Sequence, residues 1–244
     1  MRVIDNEFTD VGTPAGAMRT YLFRPRSEGV FPGVVLFSEI FQVTHQIRRA
    51  AAMLAGHGYL VAVPEVFHES LPAGRALPYS EEGRTQGRRL VSLKAAAARD
   101  ADIGAVIDML RHHRRCSGRI GALGFCYGGQ LALRAAVLAE VRAAAAFYPT
   151  GLIGEDGCPS DCLDRLPEVT GELSILVGTE DPLLPLMARS RIYQALAAAG
   201  CRYRWHEVPA GHGYVRDGGE DYDPELCLLG YQEVFSLFRR NLSE

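Results

Sequence analysis

The chain alternates between apolar runs and segments with helical composition. Runs at residues 34–38, 59–63, 120–125, 143–148 and 173–177 are apolar enough to be buried strands. Such continuous runs are typical of strands in a parallel sheet that is covered on both faces. Residues 202–208 alternate between apolar and polar positions, which predicts one further strand.

Helical segments separate these strands. They are predicted at residues 46–57, 88–113, 130–139, 186–199 and 224–241, whereas residues 67–87 and 150–171 are irregular. Two short extended segments, 2–8 and 18–24, predict an antiparallel hairpin at the N-terminus. Strands that alternate with helices predict an α/β fold with a central, mostly parallel sheet and helices on both faces. No repeat or linker interrupts the pattern, so we expect a single domain over residues 1–244.

Composition excludes several classes of function. Hydrophobic residues make up 48% and charged residues 23% of the 244 residues, as in ordinary globular proteins. The net charge of −3 gives no basic surface for nucleic acid, and no apolar run is long enough for a signal peptide or a membrane span. We therefore expect a cytoplasmic protein without nucleic-acid or membrane partners, in which the six cysteines stay reduced.

The junction between the strand at 120–125 and the helix after it carries the first candidate for chemistry. It reads Gly124-Phe-Cys126-Tyr-Gly128, which matches the G-x-S-x-G nucleophile elbow with cysteine in place of serine. Glycines suit such an elbow, because a side chain at either flanking position would clash with the neighbouring strand or helix. A cysteine in a glycine-rich turn could also be buried and inert, so the assignment of Cys126 as a nucleophile depends on its partners.

Two further side chains follow strands in the same way. Asp181 comes after the strand at 173–177, and His212 comes after the strand at 202–208, between two glycines. Because functional groups gather at the carboxyl ends of strands in open α/β sheets, both should lie near Cys126. The chain order of nucleophile, acid and histidine is that of α/β-hydrolases. Taken alone, Asp181 could belong to a turn, and His212 could be a loop histidine.

These residue types support acyl transfer through a thiolate. His212 can accept the thiol proton and later return a proton to the leaving oxygen, while Asp181 orients the imidazole. The oxyanion of the intermediate needs two donors. We predict that these are the backbone N–H of Tyr127 and the N–H of Ile40, which lies in the loop after the strand at 34–38.

With these motifs the chain resembles the dienelactone hydrolase (carboxymethylenebutenolidase) family of the α/β-hydrolase superfamily. The resemblance rests on Ser-Glu-Ile-Phe at 38–41, Gly-Phe-Cys-Tyr-Gly-Gly at 124–129, Gly-Thr-Glu-Asp at 178–181 and Ala-Gly-His-Gly at 210–213. It implies an α/β-hydrolase fold and a triad of Cys126, His212 and Asp181. It also implies hydrolysis of a small lactone or carboxylic ester through an acyl-cysteine intermediate, with neither a cofactor nor a metal.

The resemblance assigns roles to other side chains as well. Glu39 should contact the Cys126 thiol and take part in forming the thiolate as substrate binds. The substrate should carry a carboxylate that arginines bind, and Arg216 matches one of them, four residues after the histidine. Residues 71–89 depart from the family pattern, which leaves three candidates for the second arginine: Arg84, Arg88 and Arg89.

Each of these assignments has a plainer alternative. Glu39 could be a solvated loop carboxylate, and Arg216 could be a surface charge. Phe41 and Tyr148 could line the substrate pocket or belong to the core.

Two other functions fit parts of the sequence. Cys126 could be a redox-sensing thiol in a protein without enzymatic activity, although such a thiol usually has a resolving cysteine nearby and the elbow carries none. The pair Cys158 and Cys162, with neighbouring aspartates, could hold a structural metal, although no nearby cysteine or histidine completes a zinc site. The chain could act as a monomer or a homodimer.

Overall fold

Strands and helices follow one another along most of the chain in the computed structural model, which describes residues 1–154 and 160–243. The strands are β1 (Val3–Thr13), β2 (Gly16–Pro25), β3 (Phe31–Phe37), β4 (Leu60–Pro64), β5 (Cys116–Phe125), β6 (Val141–Phe147), β7 (Glu172–Gly178) and β8 (Arg202–Val208). The α-helices are α1 (His45–Gly56), α2 (Glu81–Leu93), α3 (Ala96–Arg111), α4 (Tyr127–Ala135), α5 (Leu186–Ala199) and α6 (Pro224–Leu242).

The strands form one mixed sheet in the order β1-β2-β4-β3-β5-β6-β7-β8. The pairs β1–β2 and β2–β4 are antiparallel, whereas β3–β4, β6–β7 and β7–β8 are parallel. Nearly every residue of β3, β4, β6 and β7 is buried, as their continuous apolar sequences require. The predicted α/β class and the N-terminal hairpin are confirmed.

The chain divides into two compact units, Met1–Gly121 and Ala122–Glu244. Within the first unit, α1 packs on β1, β2 and β4, and α3 packs on β1 and β3. Within the second, α4 packs on β6, and α6 packs on β6 and β7. Strand β5 runs from the first unit into the second. The expectation of a single domain stays a prediction. No helix among the described residues is both long enough and apolar enough to cross a membrane.

The register of the parallel strands brings three loops of the second unit to one edge of the sheet. Phe147, the last residue of β6, lies opposite Leu176 in β7, and Gly178, the last residue of β7, lies opposite Val208 in β8. The loops after β6, β7 and β8 therefore start side by side. This edge is where the sequence predicts Asp181 and His212.

The prediction of one long helix at residues 88–113 is wrong, because this segment contains the end of α2 and a separate helix, α3. Lys94 stands at the break with an extended backbone (φ −84°, ψ 113°). Its buried ammonium donates to the carbonyl of Val66 at 2.6 Å and to the Glu69 carboxylate at 2.9 Å. These distant partners stabilise a bend that the helical composition does not indicate. Helix α2 also begins at Glu81, inside the stretch predicted as irregular.

Candidate active site

Cys126 lies between β5 and α4, at the strand-to-helix turn where the elbow motif predicts it. Its φ of 54° is in the left-handed region, which is strained for a residue with a side chain. The glycines around it are required by close packing. A Cβ on Gly124 would lie 1.8 Å from the carbonyl oxygen of Gly128, and a Cβ on Gly129 would lie 2.8 Å from the Pro149 side chain. Glycine at these positions lets the strand, the turn and the helix approach closely enough to form the elbow.

Asp181 and His212 are in direct contact at the carboxyl ends of β7 and β8. The Nδ1 atom of His212 lies 2.7 Å from Oδ2 of the buried Asp181. The other carboxylate oxygen accepts the backbone N–H of Leu183 at 2.8 Å. Because a carboxylate accepts, Nδ1 carries the proton in this pair. The Nε2 atom is thereby left as the ring nitrogen that can accept a proton from Cys126.

The Cys126 side chain hydrogen-bonds with the His212 imidazole, which gives the three residues a serial arrangement. Burial disfavours a charged imidazole, but the neighbouring Cys126 and the hydrogen bond to Asp181 outweigh it and raise the pKa of His212 to about 10.

Tyr148 packs against the imidazole and helps to fix its orientation. The two ring centroids are 4.9 Å apart in an edge-to-face arrangement. Tyr148 has a φ of 36°, and its backbone N–H donates to the carbonyl of Leu176 at 2.7 Å. The side chain is fully buried. It contacts the histidine from inside the second unit, so it belongs to the core as well as to the surroundings of His212.

Arg216 lies on the same loop as His212. The loop turns through a hydrogen bond from the Arg216 N–H to the carbonyl of Gly213 at 2.8 Å. The guanidinium of this half-buried arginine lies over Gly213, whose Cβ, if it had one, would be 3.3 Å from Cζ. Glycine next to the histidine thus lets the positive charge lie against the backbone at residue 213.

Glu39, in the first unit, is a buried carboxylate rather than a solvated one. Only 3% of it is exposed, although it lies in the loop two residues after the end of β3. Its Oε2 accepts a hydrogen bond from the Tyr79 hydroxyl at 3.0 Å, and that hydroxyl also contacts Oγ1 of Thr44 at 3.0 Å. The buried ring of Phe41 packs on Tyr79, with centroids 4.5 Å apart. Phe41 and Tyr79 together cover the loop that carries Glu39.

Ile40 lies against α2. A Cβ on Gly87 would be 2.5 Å from the carbonyl oxygen of Ile40, so the glycine lets the helix approach this loop. Gly83, Gly87 and Leu90 form the buried face of α2. Arg84 and Arg88, as well as Arg89, are exposed, and Arg84 pairs with Glu81 at 3.6 Å.

The predicted site residues therefore fall into two groups. The second unit brings together Cys126, His212, Asp181 and Tyr148. In the same unit, Tyr127 opens α4 next to Cys126, and Arg216 lies on the loop that carries His212. The first unit carries Glu39, Ile40 and Phe41 on one loop and the arginines on α2.

Two residues that the sequence does not single out are connected to these groups in the structure. Thr150 contacts the Cys126 sulfur, and Tyr79 donates to Glu39. Both lie in stretches predicted to be irregular. The position of Thr150 just beyond the strand at 143–148 was the available signal, since the predicted aspartate and histidine follow strands in the same way.

One group of possible metal ligands occurs among the described residues. It consists of His68, Glu69 and Asp102. The ammonium of Lys94 bonds both carboxylates, so a positive charge already lies against them. Cys162 is buried, whereas Cys158 lies outside the described residues. The proposed metal pair therefore stays untested.

Comparisons with known proteins agree with the fold and the motifs. A family model described as "Dienelactone hydrolase family" matches residues 18–242. A Saccharomyces cerevisiae protein named "Putative carboxymethylenebutenolidase" is 32% identical, over 98% of this chain and 93% of its own length. The carboxymethylenebutenolidase of Pseudomonas putida is 28% identical over 81% of each chain. A crystal structure titled "Putative Dienelactone Hydrolase" from Klebsiella pneumoniae has a TM-score of 0.87 at 27% identity, covering 98% of this chain and 99% of that one.

Proposed function

Because the chain belongs to the dienelactone hydrolase family and is a hydrolase of that type with the α/β-hydrolase fold, we propose that it cleaves a small, carboxylate-bearing lactone or carboxylic ester through an acyl-cysteine intermediate. Cys126 is the nucleophile, His212 is the general base and acid, and Asp181 orients the imidazole. The observation that carries the proposal is the serial contact of an elbow cysteine, a histidine and a buried aspartate.

Each step of the reaction has a group in this series. His212 accepts the thiol proton, and the thiolate of Cys126 attacks the carbonyl carbon. When the C–O bond breaks, the imidazolium returns the proton to the leaving oxygen. Water then attacks the thioester and gives a proton to His212, the C–S bond breaks, and the acid product leaves as the cysteine regains its proton. Asp181 stabilises the imidazolium in both halves of the reaction.

The oxyanion donors stay predictions. The Tyr127 N–H opens α4 directly after Cys126, in the first turn of the helix. The helix dipole also favours negative charge at that end. The Ile40 N–H remains the second candidate.

Arg216 is the proposed partner of the substrate carboxylate. Replacing it by glutamine should lower kcat/KM for a carboxylate-bearing lactone by about 10- to 100-fold, because a charge-assisted hydrogen bond is lost. A neutral lactone of the same ring size should be hydrolysed at nearly the wild-type rate. The measurement is steady-state hydrolysis of both substrates by wild type, Arg216→Gln and the control Arg142→Gln, whose arginine is exposed near the start of β6. Equal losses on both substrates would contradict the assignment, and the absence of any lactone or ester hydrolysis in wild type would refute the proposed function.

Glu39 is proposed to keep the Cys126 thiol from ionising in the free enzyme. A carboxylate near a thiol opposes the thiolate through like-charge repulsion. Replacing Glu39 by glutamine should therefore speed alkylation of Cys126 by iodoacetamide about tenfold in the free enzyme, and it should reduce the kcat advantage of carboxylate-bearing over neutral lactones. Tyr79→Phe is the matched control, since it removes the hydroxyl that donates to Glu39 but keeps the carboxylate, and its alkylation should stay slow. If Glu39→Gln leaves both the alkylation rate and the kcat ratio unchanged, Glu39 is only a loop carboxylate.

A further inference from the structure

The Cys126 sulfur has a hydrogen-bonding partner besides the imidazole. The hydroxyl oxygen of Thr150 lies 3.5 Å from Sγ, a hydrogen-bonding distance for the large sulfur atom. The backbone N–H of Thr150 also donates to the carbonyl oxygen of Cys126 at 3.2 Å. Thr150 therefore contacts the predicted nucleophile through both its main chain and its side chain, although it follows 24 positions later in the chain.

The segment that carries Thr150 is held in place from α4. The side-chain amide of Gln130 donates to the carbonyl oxygen of Gly151, and Gln130 itself is buried. Gly151 has a φ of 73°, and a Cβ there would lie 3.0 Å from the Gln130 amide nitrogen. On the other side, the Cys126 N–H donates to the carbonyl of Phe147 at 3.0 Å. These contacts fix the position of the hydroxyl relative to Sγ.

A hydroxyl at this position distinguishes between the two states of the cysteine. A thiolate can only accept hydrogen bonds, so it takes the hydroxyl proton as a charge-assisted hydrogen bond. A neutral thiol is a weak donor and a weak acceptor, and it gains less from the same neighbour. The hydroxyl carries no charge of its own, so it stabilises the thiolate without altering the net charge around it.

We propose that Thr150 donates a hydrogen bond to the Cys126 thiolate, so that the thiolate forms at lower pH than it would without this hydroxyl and stays beside His212. The inference rests on the proposed function, in which this thiolate attacks the substrate. The thiol proton moves from Sγ to Nε2 of His212, and Thr150 keeps its own proton throughout. Thr150 thus adds an uncharged donor to the series of Cys126, His212 and Asp181.

Charged groups act on the same sulfur and must be separated from Thr150. In the second unit, His212 contacts Sγ and Asp181 lies behind it, and both favour the ion pair. Glu39 is predicted to oppose the thiolate. Because the hydrogen bond from Thr150 is independent of that carboxylate, its effect should persist when Glu39 is replaced by glutamine.

The test is the rate of Cys126 alkylation by iodoacetamide as a function of pH, followed by intact-protein mass. Thr150→Val keeps the shape of the side chain and removes the donor, whereas Thr150→Ser keeps the donor and removes a methyl group. For Thr150→Val, the midpoint of the pH profile should rise by about one pH unit, which makes alkylation about tenfold slower below the midpoint. Thr150→Ser should behave like wild type, and the same shift should appear in the Glu39→Gln background. The acidic limb of kcat/KM for hydrolysis should move with the alkylation midpoint.

Two results would overturn the inference. One is an unchanged midpoint in Thr150→Val, and the other is an equal shift in Thr150→Val and Thr150→Ser, which would assign the effect to packing. Alkylation needs no substrate, so its outcome does not depend on which ester is hydrolysed. If wild type hydrolyses neither lactones nor esters, the proposed function fails while the alkylation profile still decides the role of Thr150.

Discussion

Replacing Cys126 by alanine should lower kcat/KM for lactone and ester hydrolysis by about 10⁴-fold or more, because no acyl-cysteine can form. Binding and the remaining groups should support only a small residual rate. The measurement is steady-state hydrolysis together with intact-protein mass after rapid quenching, in which wild type should gain the mass of the acyl group and Cys126→Ala should not.

A matched cysteine controls for general effects on folding. Cys201, just after α5, is a free thiol, and Cys201→Ala should stay within a few-fold of wild type. Hydrolysis that persists in Cys126→Ala would exclude the acyl-cysteine mechanism. A wild-type protein that reacts with peroxide at Cys126 but hydrolyses nothing would instead favour the redox-sensing alternative.

Replacing His212 by alanine should lower kcat/KM by about 10³- to 10⁴-fold, because the thiol loses the group that accepts its proton. Burial opposes a charged imidazole, but the contacts with Cys126 and Asp181 outweigh it and raise the pKa of His212 to about 10. Removing the imidazole should therefore also slow alkylation of Cys126 at neutral pH, where the thiolate loses its counter-charge. The two measurements together separate a loss of thiolate from a loss of acid catalysis on the leaving group.

The control is His206→Gln, because His206 lies in β8, the strand that leads to the histidine loop. It should change the rate only a few-fold. Residues of a triad act as a unit, so the double variant Cys126→Ala with His212→Ala should be no slower than Cys126→Ala alone. Near wild-type turnover in His212→Ala would contradict the assignment of the general base.

Local patterns predicted the elements of the second unit well. Helix α5 and strand β8 have the predicted bounds, and Gly200 ends α5 with a left-handed φ of 70°. Helix and strand periods, and the backbone conformations that only glycine adopts easily, are properties of a few consecutive residues. For the same reason the elbow at Cys126 could be recognised from its glycines.

Distant contacts limited the prediction elsewhere. The break at Lys94 depends on acceptors at Val66 and Glu69, and a helical pattern contains no information about them. The burial of Glu39 depends on Tyr79, which lies 40 positions away. The helix face on which Arg84 and Arg88 lie could not be predicted, because it depends on where α2 begins.

The sequence by itself determined the α/β class, the elbow cysteine, and the aspartate and histidine that follow strands in the order of an α/β-hydrolase. Only the tertiary structure decided that Nδ1 of His212 binds Asp181, that Tyr148 packs on the imidazole and that Thr150 reaches the sulfur. Strand order and loop path bring these side chains together. Neither is encoded in any short stretch of residues, since each depends on how the whole sheet is paired.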